Sequence, residues 1–186
     1  MRHGEAMTLR RIVVVGTTGS GKSTLAAALA TRLRLPQIEL DGLHWGPQWT
    51  PVGRDIFRAR VAAATAGECW VVAGNYGVVR DLLWPRADAL VWLDYPLALN
   101  FWRLTRRSLR RIVTREELWA GNRETFRSQF LSRDSVYVWA ARSHARQRRE
   151  FAALLADPAY AHLAAMRHAS PRDTARWLAT LAVSNR

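Results

Sequence analysis

The chain has 186 residues, with 28 basic and 15 acidic side chains and a formal net charge of +13. A cationic surface of this size indicates anionic partners such as nucleotides, nucleic acid or phosphorylated metabolites. An apolar share of 49% excludes a disordered basic tail, and the single cysteine, Cys69, excludes an internal disulfide framework and a four-cysteine zinc site. Since no apolar run approaches the ~20 residues that span a bilayer and the first residues hold no apolar signal-peptide core, we expect a cytoplasmic protein without membrane contact.

Short apolar strands alternate with helical patterns along the chain. Residues 12–15 form a β-branched run without polar alternation, which is typical of a strand buried on both faces of a parallel sheet. The further predicted strands are residues 37–40, 70–73, 89–94 and 163–168. Strands that alternate with helices indicate a parallel sheet with helices on both faces, whose ligands bind at the carboxyl ends of the strands.

Helices are predicted from apolar residues at helical spacing and from capping residues. Residues 22–33 form the first helix, and Thr50 and Pro51 predict the cap and first residue of a second, which passes Phe57 and Val61. A third covers residues 97–113 and a fourth residues 136–155. The apolar stripe of the fourth is predicted to consist of Trp139, Phe151, Leu154 and Leu155. Ser170 and Pro171 begin the last helix.

The loop between the first strand and the first helix satisfies the pattern G-x-x-x-x-G-K-[ST]. Its residues are Gly16, Thr17, Thr18, Gly19, Ser20, Gly21, Lys22 and Ser23, and Thr24 follows in the first turn of the helix. In such a P-loop the backbone N–H groups and the helix N-terminus bind phosphate oxygens, the lysine reaches the outer phosphates and the serine binds Mg²⁺. The sequence therefore predicts a site for a nucleoside triphosphate.

Four further segments, residues 41–45, 74–76, 93–96 and 103–111, carry a resemblance to a known family. With the P-loop, they make the chain similar to the adenylate-kinase-like branch of P-loop kinases, and within it to the proteins named for DNA topology modulation. The resemblance implies a three-layer α/β sandwich with a five-stranded parallel sheet in the order 2-3-1-4-5, as one domain over residues 10–186 after a flexible N-terminus, 1–9. It also implies a helical, arginine-rich lid at about residues 103–142.

Four residues are candidates for binding and activating a phosphoryl acceptor. Asp41 is predicted at the tip of the strand beside the P-loop strand, where it would accept the proton of a hydroxyl or hold Mg²⁺ through water; the alternative is a turn aspartate. His44 is predicted to contact the acceptor or, alternatively, to pack between tryptophans. Asn75 and Tyr76 are placed by the resemblance where an acceptor would lie, and alternatively form a turn.

The expected metal site rests on Ser23 and Asp41. Many relatives have an acid at the end of the third strand, where this chain has Ala73. Asp94 is a further candidate for the metal, and otherwise the N-cap of the helix that Pro96 opens.

The arginines are concentrated in one part of the chain. Residues 103–149 contain 13 arginines and four acids, a net charge of +9. The resemblance predicts that Arg103 and Arg107 act on the transferring phosphate, with Arg142 and Arg146 as further nucleotide ligands and Pro171 in the loop beside the base. Most other arginines are expected on a solvated face. The acids Glu116, Glu117 and Glu124 either pair with these arginines or recognise the acceptor.

These features predict an ATP- and Mg²⁺-dependent kinase whose acceptor is a nucleoside monophosphate or a metabolite hydroxyl. Two alternatives are an ATPase without a small acceptor and a nucleotide-switched protein that binds nucleic acid through the basic segment. The absence of a helix-turn-helix, zinc-finger or RNA-binding signature disfavours the last.

Overall fold

The computed structural model of the protein describes residues 9–126 and 136–181. Its five parallel strands are β1 (Arg11–Gly16), β2 (Gln37–Glu39), β3 (Trp70–Ala73), β4 (Ala89–Leu93) and β5 (Ala164–His168). They form one sheet in the order β2-β3-β1-β4-β5. The predicted fold class, sheet order and strand direction are confirmed.

The central strand β1 is buried on both of its faces. Val13 and Val15 belong to one hydrophobic core, and Ile12 and Val14 belong to the core on the other side of the sheet. Because both faces of β1 pack against apolar residues, residues 12–15 of the strand include no polar side chain. At the carboxyl end of the strand, Gly16 pairs with Leu93 of β4.

Seven α-helices connect and cover the strands within the described residues. They are α1 (Lys22–Leu33), α2 (Leu40–His44), α3 (Arg54–Ala64), α4 (Arg80–Leu83), α5 (Leu97–Thr114), α6 (Val136–Leu155) and α7 (Pro171–Thr180). Apolar residues of α1 and α7 pack on one face of the sheet, and those of α3 and α6 on the other. None of these helices is at once long and apolar enough to cross a membrane.

Helix α6 has the bounds that the sequence predicts, and its apolar stripe is partly confirmed. Phe151 is fully buried, and Leu154 and Leu155 pack against the same core. The side chain of Trp139 lies outside the described residues, as do the predicted flexible N-terminus up to residue 8 and residues 127–135 of the predicted lid. At α7, Ser170 is the N-cap as predicted, because its side chain accepts a hydrogen bond from the N–H of Asp173.

The predicted start of the second long helix is wrong. Helix α3 begins at Arg54, and Pro51 forms an isolated bridge with Trp45 instead of opening the helix. The physical reason is a closed loop: the N–H of Val52 donates to the carbonyl of His44 at 2.9 Å, which keeps this segment folded back on α2. The loop brings residues 47–49 towards the carboxyl edge of the sheet.

Candidate active site

The phosphate-binding loop runs from the end of β1 to the start of α1 in a conformation that requires glycine. Gly19 has φ +86°, and a Cβ atom there would collide with the backbone carbonyl of Asn100 in α5. Gly16 is equally confined, since a Cβ atom would lie 2.6 Å from the carbonyl oxygen of Leu93. The loop therefore packs directly against β4 and α5, with the N-terminus of α1 at Lys22 following it.

Lys22 lies within this loop, where its Nζ atom donates to the carbonyl of Thr17 at 3.3 Å. Burial lowers the pKa of Lys22 to about 8, and Arg107 adds to this effect, while Asp41 and Glu39 oppose it. The desolvated ammonium of Lys22 thus interacts with one cation, Arg107 of α5, and with two carboxylates, Glu39 at the end of β2 and Asp41 in α2. An anion bound here would stabilise the charged form of Lys22, which burial destabilises.

The hydroxyl of Ser23 donates to a carboxylate that sequence reasoning missed. The acceptor is Glu39 at the end of β2, with Oγ and Oε2 2.9 Å apart. Gln37 donates to the other oxygen of Glu39 at 2.7 Å. Burial raises the pKa of Glu39. The available signal was an acid at the end of a short predicted strand, two residues before Asp41. Although the third strand ends in Ala73 and offers no acid, Glu39 supplies a carboxylate to the P-loop serine.

Asp41 does not lie where the sequence analysis expected it. Its strand, β2, is the edge strand, and β3 separates it from β1, so Asp41 occupies the first turn of α2 rather than the tip of a strand beside the P-loop strand. The carboxylate nevertheless acts electrostatically on Lys22. Tyr76 donates its hydroxyl to Oδ1 of Asp41 at 2.6 Å.

His44, also on α2, packs among aromatic rings. Its ring centroid lies 4.7 Å from that of Tyr76 and 5.0 Å from that of Phe57. Burial lowers the pKa of His44, which favours the neutral imidazole. Its Nδ1 atom is buried and has no hydrogen-bond partner among the described residues. Asn75, the other predicted acceptor residue, is half-buried just after β3.

Two arginines of α5, Arg103 and Arg107, interact with residues of the P-loop, and their predicted action on the transferring phosphate stays a prediction. Arg103 donates from Nη1 to the carbonyl of Ser20 at 3.3 Å and lies over the ring of Tyr95. One turn further along, Arg107 interacts electrostatically with Asp41 and Lys22. Burial, reinforced by the neighbouring Arg111, lowers the pKa of Arg107. Its Nε atom is buried and lacks a hydrogen-bond partner within the described ranges.

The acids of residues 116–124 pair with arginines. Arg111 binds Glu116 at 3.2 Å and Glu124 at 3.0 Å, and the side chain of Glu124 is only 5% exposed. Glu117 pairs with Arg123 at the surface. Of the two possibilities that the sequence left open for these acids, the structure brings all three into ion pairs.

On the returning helix α6, the side chains that reach the P-loop are not the predicted ones. Arg142 and Arg146 are exposed. His144 lies between them in sequence, and its Nδ1 atom is 3.0 Å from the hydroxyl of Thr17, which also donates to Gln147 at 3.4 Å. Burial and the neighbouring Arg148 lower the pKa of His144.

Asp94 lies at the end of β4, between two arginines. Its side chain is only 2% exposed, and its carboxylate oxygens lie 2.9 Å from Nε of Arg148 and 2.9 Å from Nε of Arg167. The alternative N-cap role is wrong, because Pro96 occupies the N-cap position of α5. Pro171 is the first residue of α7, directly after β5. The described residues contain no cluster of three or more acids, histidines or cysteines that could hold a metal alone.

The turn at residues 119–123, which follows α5, packs against α2 and the loop after it. Trp119 packs so closely on Gly42 that a Cβ atom there would lie 2.7 Å from the indole Cδ1. The buried Asn122 joins the two segments: its Nδ2 donates to the carbonyls of Gly46 and Trp119 at 2.8 Å each, and its Oδ1 accepts from the N–H of Trp49 at 2.8 Å. The loop after α2 and the turn at 119–123 thus form one wall.

This sheet order, with a glycine-rich loop between the central strand and a helix, is the α/β fold of the P-loop kinases. Among solved structures, the chain resembles a gluconokinase from Sinorhizobium meliloti 1021, with 22% identity, a TM-score of 0.51 and 94% of each chain covered. It also resembles a shikimate kinase from Acinetobacter baumannii in complex with shikimate, with 16% identity, a TM-score of 0.52, and 93% of this chain and 90% of that one covered.

Sequence comparison adds one relative. The chain is 29% identical over 133 residues to the uncharacterized protein YqaC of Bacillus subtilis strain 168, which covers 69% of this chain and 72% of that protein. No family model matches. The fold is therefore established, and the narrower resemblance to proteins named for DNA topology modulation stays a prediction.

Proposed function

We propose that the protein is a kinase that transfers the γ-phosphoryl group of ATP to a hydroxyl group of a small molecule. The observation that carries the proposal is the buried Nε of Arg107, which has no hydrogen-bond partner within residues 9–126 and 136–181, on a guanidinium that interacts electrostatically with Lys22 and Asp41. A buried N–H without an acceptor costs about 1–3 kcal/mol, and more on a charged group, so a phosphate oxygen at this point would be strongly favoured. Lys22, desolvated in the same place, supports the same ligand.

The residues present fit both ATP and Mg²⁺. The glycines of the loop leave open the space that side chains would fill, and the N-terminus of α1 follows them. Ser23 and Glu39, already 2.9 Å apart, offer the oxygen ligands that Mg²⁺ prefers, and Asp41 is the third candidate. Mg²⁺ held there would neutralise charge on the phosphate oxygens. We assign Asp94 to its arginine pair and not to the metal.

In the proposed reaction, the acceptor oxygen bonds to the γ-phosphorus and the bond from that phosphorus to the bridging oxygen breaks, so that ADP leaves. The hydroxyl proton passes to the carboxylate of Asp41. Lys22 and Arg107 lie beside Asp41 and would bind the oxygens of the transferring group, where positioning and charge neutralisation provide most of the catalysis. Arg103, on the P-loop at Ser20, would bind the remaining phosphates.

The pairing of the other arginines favours a hydroxyl acceptor over a nucleoside monophosphate, whose phosphate would need cations of its own. On the elements that surround α2, Arg58 binds Asp81 at 2.7 Å and Arg80 binds Glu150 at 2.6 Å. Arg111 is held by two glutamates. These three arginines are thus neutralised by acids, whereas Arg107 and Lys22, which interact electrostatically with Asp41 and with each other, are needed by the transferring phosphoryl group.

The same pairing weighs against a nucleic-acid surface. Within the basic segment, Arg110, Arg111, Arg123 and Arg148 each pair with an acid. Cations that are already neutralised contribute little to phosphate-backbone binding. An ATPase without an acceptor differs from the proposed kinase in one respect only, the use of Asp41, and the test below separates the two.

The test measures ADP formation by purified protein with Mg²⁺ and ATP, alone and with each of a series of hydroxyl compounds and nucleoside monophosphates. We expect a hydroxyl compound to stimulate ADP formation and to appear as a phosphorylated product by mass spectrometry. Lys22→Ala should abolish nucleotide binding or turnover, whereas Asp41→Asn should bind ATP normally and lose transfer. ATP hydrolysis that no acceptor stimulates and that Asp41→Asn leaves unchanged would refute the kinase proposal in favour of the ATPase.

A further inference from the structure

Tyr76 is fixed in place on every side that the structure describes. Its ring packs against His44, with centroids 4.7 Å apart, and against Phe57, with centroids 5.1 Å apart. Phe57 is a buried residue of α3, so a rotation of the Tyr76 ring would disturb its packing against a residue of the core. The hydroxyl therefore points in a direction that the fold determines.

That hydroxyl is engaged in a hydrogen bond to a carboxylate. It donates to Oδ1 of Asp41 at 2.6 Å. A hydrogen bond to a charged acceptor is shorter and stronger than one between neutral groups, so this contact ties the position of the carboxylate to that of the phenol.

The hydrogen bond to Asp41 uses the one proton of the Tyr76 hydroxyl. A phenol has a single O–H to donate, so Tyr76 has no second hydrogen for an acceptor molecule.

We propose that Tyr76, oriented by its packing against His44 and Phe57, is a positioning residue that holds one oxygen of Asp41 and so directs the other, Oδ2, towards the acceptor hydroxyl. The sequence analysis predicted instead that Tyr76 binds the acceptor itself. The inference rests on the proposed kinase function, and it explains why the motifs at residues 41–45 and 74–76 occur together in one chain. A base held in one orientation retains the alignment that proton transfer requires.

The two roles of Tyr76 differ in their kinetic effects. If Tyr76 acts through Asp41, Tyr76→Phe lowers kcat about tenfold or more and leaves KM for the acceptor unchanged. A substrate-binding tyrosine would raise KM instead. The decisive measurement is a double-mutant cycle: in the Asp41→Asn background, Tyr76→Phe should have no further effect, because the group that it positions is gone. Tyr160→Phe, which alters a tyrosine packed on Trp84 away from the site, is the matched control and should leave kcat and KM unchanged.

A second measurement does not depend on catalysis. In protein that carries ¹³C-labelled aspartate, the carboxyl resonance of Asp41, assigned by its loss in Asp41→Asn, should shift in Tyr76→Phe because the hydrogen bond to Oδ1 is removed. It should keep its position in Tyr160→Phe. An unmoved resonance in Tyr76→Phe would overturn the hydrogen bond on which the inference depends.

The outcomes separate this inference from the proposed function. If the wild-type protein transfers phosphate and Tyr76→Phe raises only KM, or lowers kcat equally in both backgrounds, the positioning role is overturned and the kinase proposal stands. If the wild-type protein transfers phosphate to no acceptor, the kinase proposal fails and the inference fails with it.

Discussion

The lowered pKa of Lys22 predicts that nucleotide binding takes up a proton. With a pKa of about 8 in the free protein, roughly half of the Lys22 side chains are neutral at pH 8 and about 90% at pH 9. Phosphate oxygens around the side chain favour the ammonium, so binding should raise the pKa towards its ordinary value. The bound state then holds more protons than the free state, and affinity falls as pH rises through 8.

The magnitude follows from the same pKa. If the lysine is fully protonated in the complex, ATP binding at pH 8 takes up about half a proton, and the apparent Kd rises about tenfold between pH 7 and pH 9. Both quantities come from isothermal titration calorimetry with Mg²⁺ and a non-hydrolysable ATP analogue, carried out in pairs of buffers that differ in ionisation enthalpy. The proton uptake is obtained from the difference in heat between the two buffers.

The direction in which Asp41→Asn shifts the pKa of Lys22 tests this assignment. Asp41 holds the pKa of Lys22 up, so Asp41→Asn should lower it and move the midpoint of proton uptake below pH 8. Asp81→Asn is the matched control, because that exposed carboxylate pairs with Arg58 instead. Proton uptake near zero at pH 8 in the wild-type protein, or a midpoint that rises in Asp41→Asn, would refute the assignment.

Three further predictions concern residues around the loop and the lid. Glu39→Gln should raise the Mg²⁺ concentration needed for half-maximal activity about 10- to 100-fold, whereas Glu68→Gln at the surface should not; equal Mg²⁺ requirements would exclude Glu39 from the metal site. Asn122→Ala removes three hydrogen bonds, each worth about 1 kcal/mol, so urea denaturation should show that the free energy of unfolding falls by about 2–3 kcal/mol. An unchanged midpoint would show that Asn122 does not join the loop after α2 to the turn at 119–123. Gly42→Ala should cost about 1–3 kcal/mol by displacing Trp119, and Trp119→Leu in the same chain should recover most of it; a loss of the same size in both backgrounds would show that the clash is elsewhere.

The fold and the P-loop could be predicted because their signals are local. The strand at residues 12–15 shows its double burial directly, as an apolar run without alternation. The loop carries its conformational requirements in its own glycines, and Lys22 and Ser23 follow from the same eight-residue pattern. Each of these inferences depends on neighbouring positions in the chain, which a sequence displays.

The parts that could not be predicted depend on contacts between distant segments. Glu39 was overlooked because its bond to Ser23 appears only once β2 is placed beside the start of α1. The position of Asp41 was wrong although the predicted sheet order was right, because that order already places β3 between β2 and β1. Likewise, Pro51 carries a valid local signal for a helix start, but the loop closed between His44 and Val52 overrides it.

The rotation of α6 could have been read more closely. Phe151 was predicted to face the core, and Gln147 and His144 precede it by four and by seven residues, which places them on the same side of a helix. Arg142 and Arg146 fall on the other side, where the structure leaves them exposed. The prediction of these two arginines came from the family resemblance, although the helical period pointed to their neighbours.

The place of β1 between β3 and β4 has a consequence for how new specificity could arise. Val14 pairs with Ala73 on one side, and Gly16 pairs with Leu93 on the other, so the chain before β4 and the chain after it approach the P-loop from opposite flanks. The proposed acceptor residues outside the turn at 119–123 all lie in one continuous stretch, residues 41–76. Under the proposed kinase function, exchanging that stretch between relatives should change the acceptor compound and leave the phosphate-binding loop and α5 intact. The nucleotide site and the proposed acceptor site would thus be encoded by separate segments of the gene, so that each site could vary without the other.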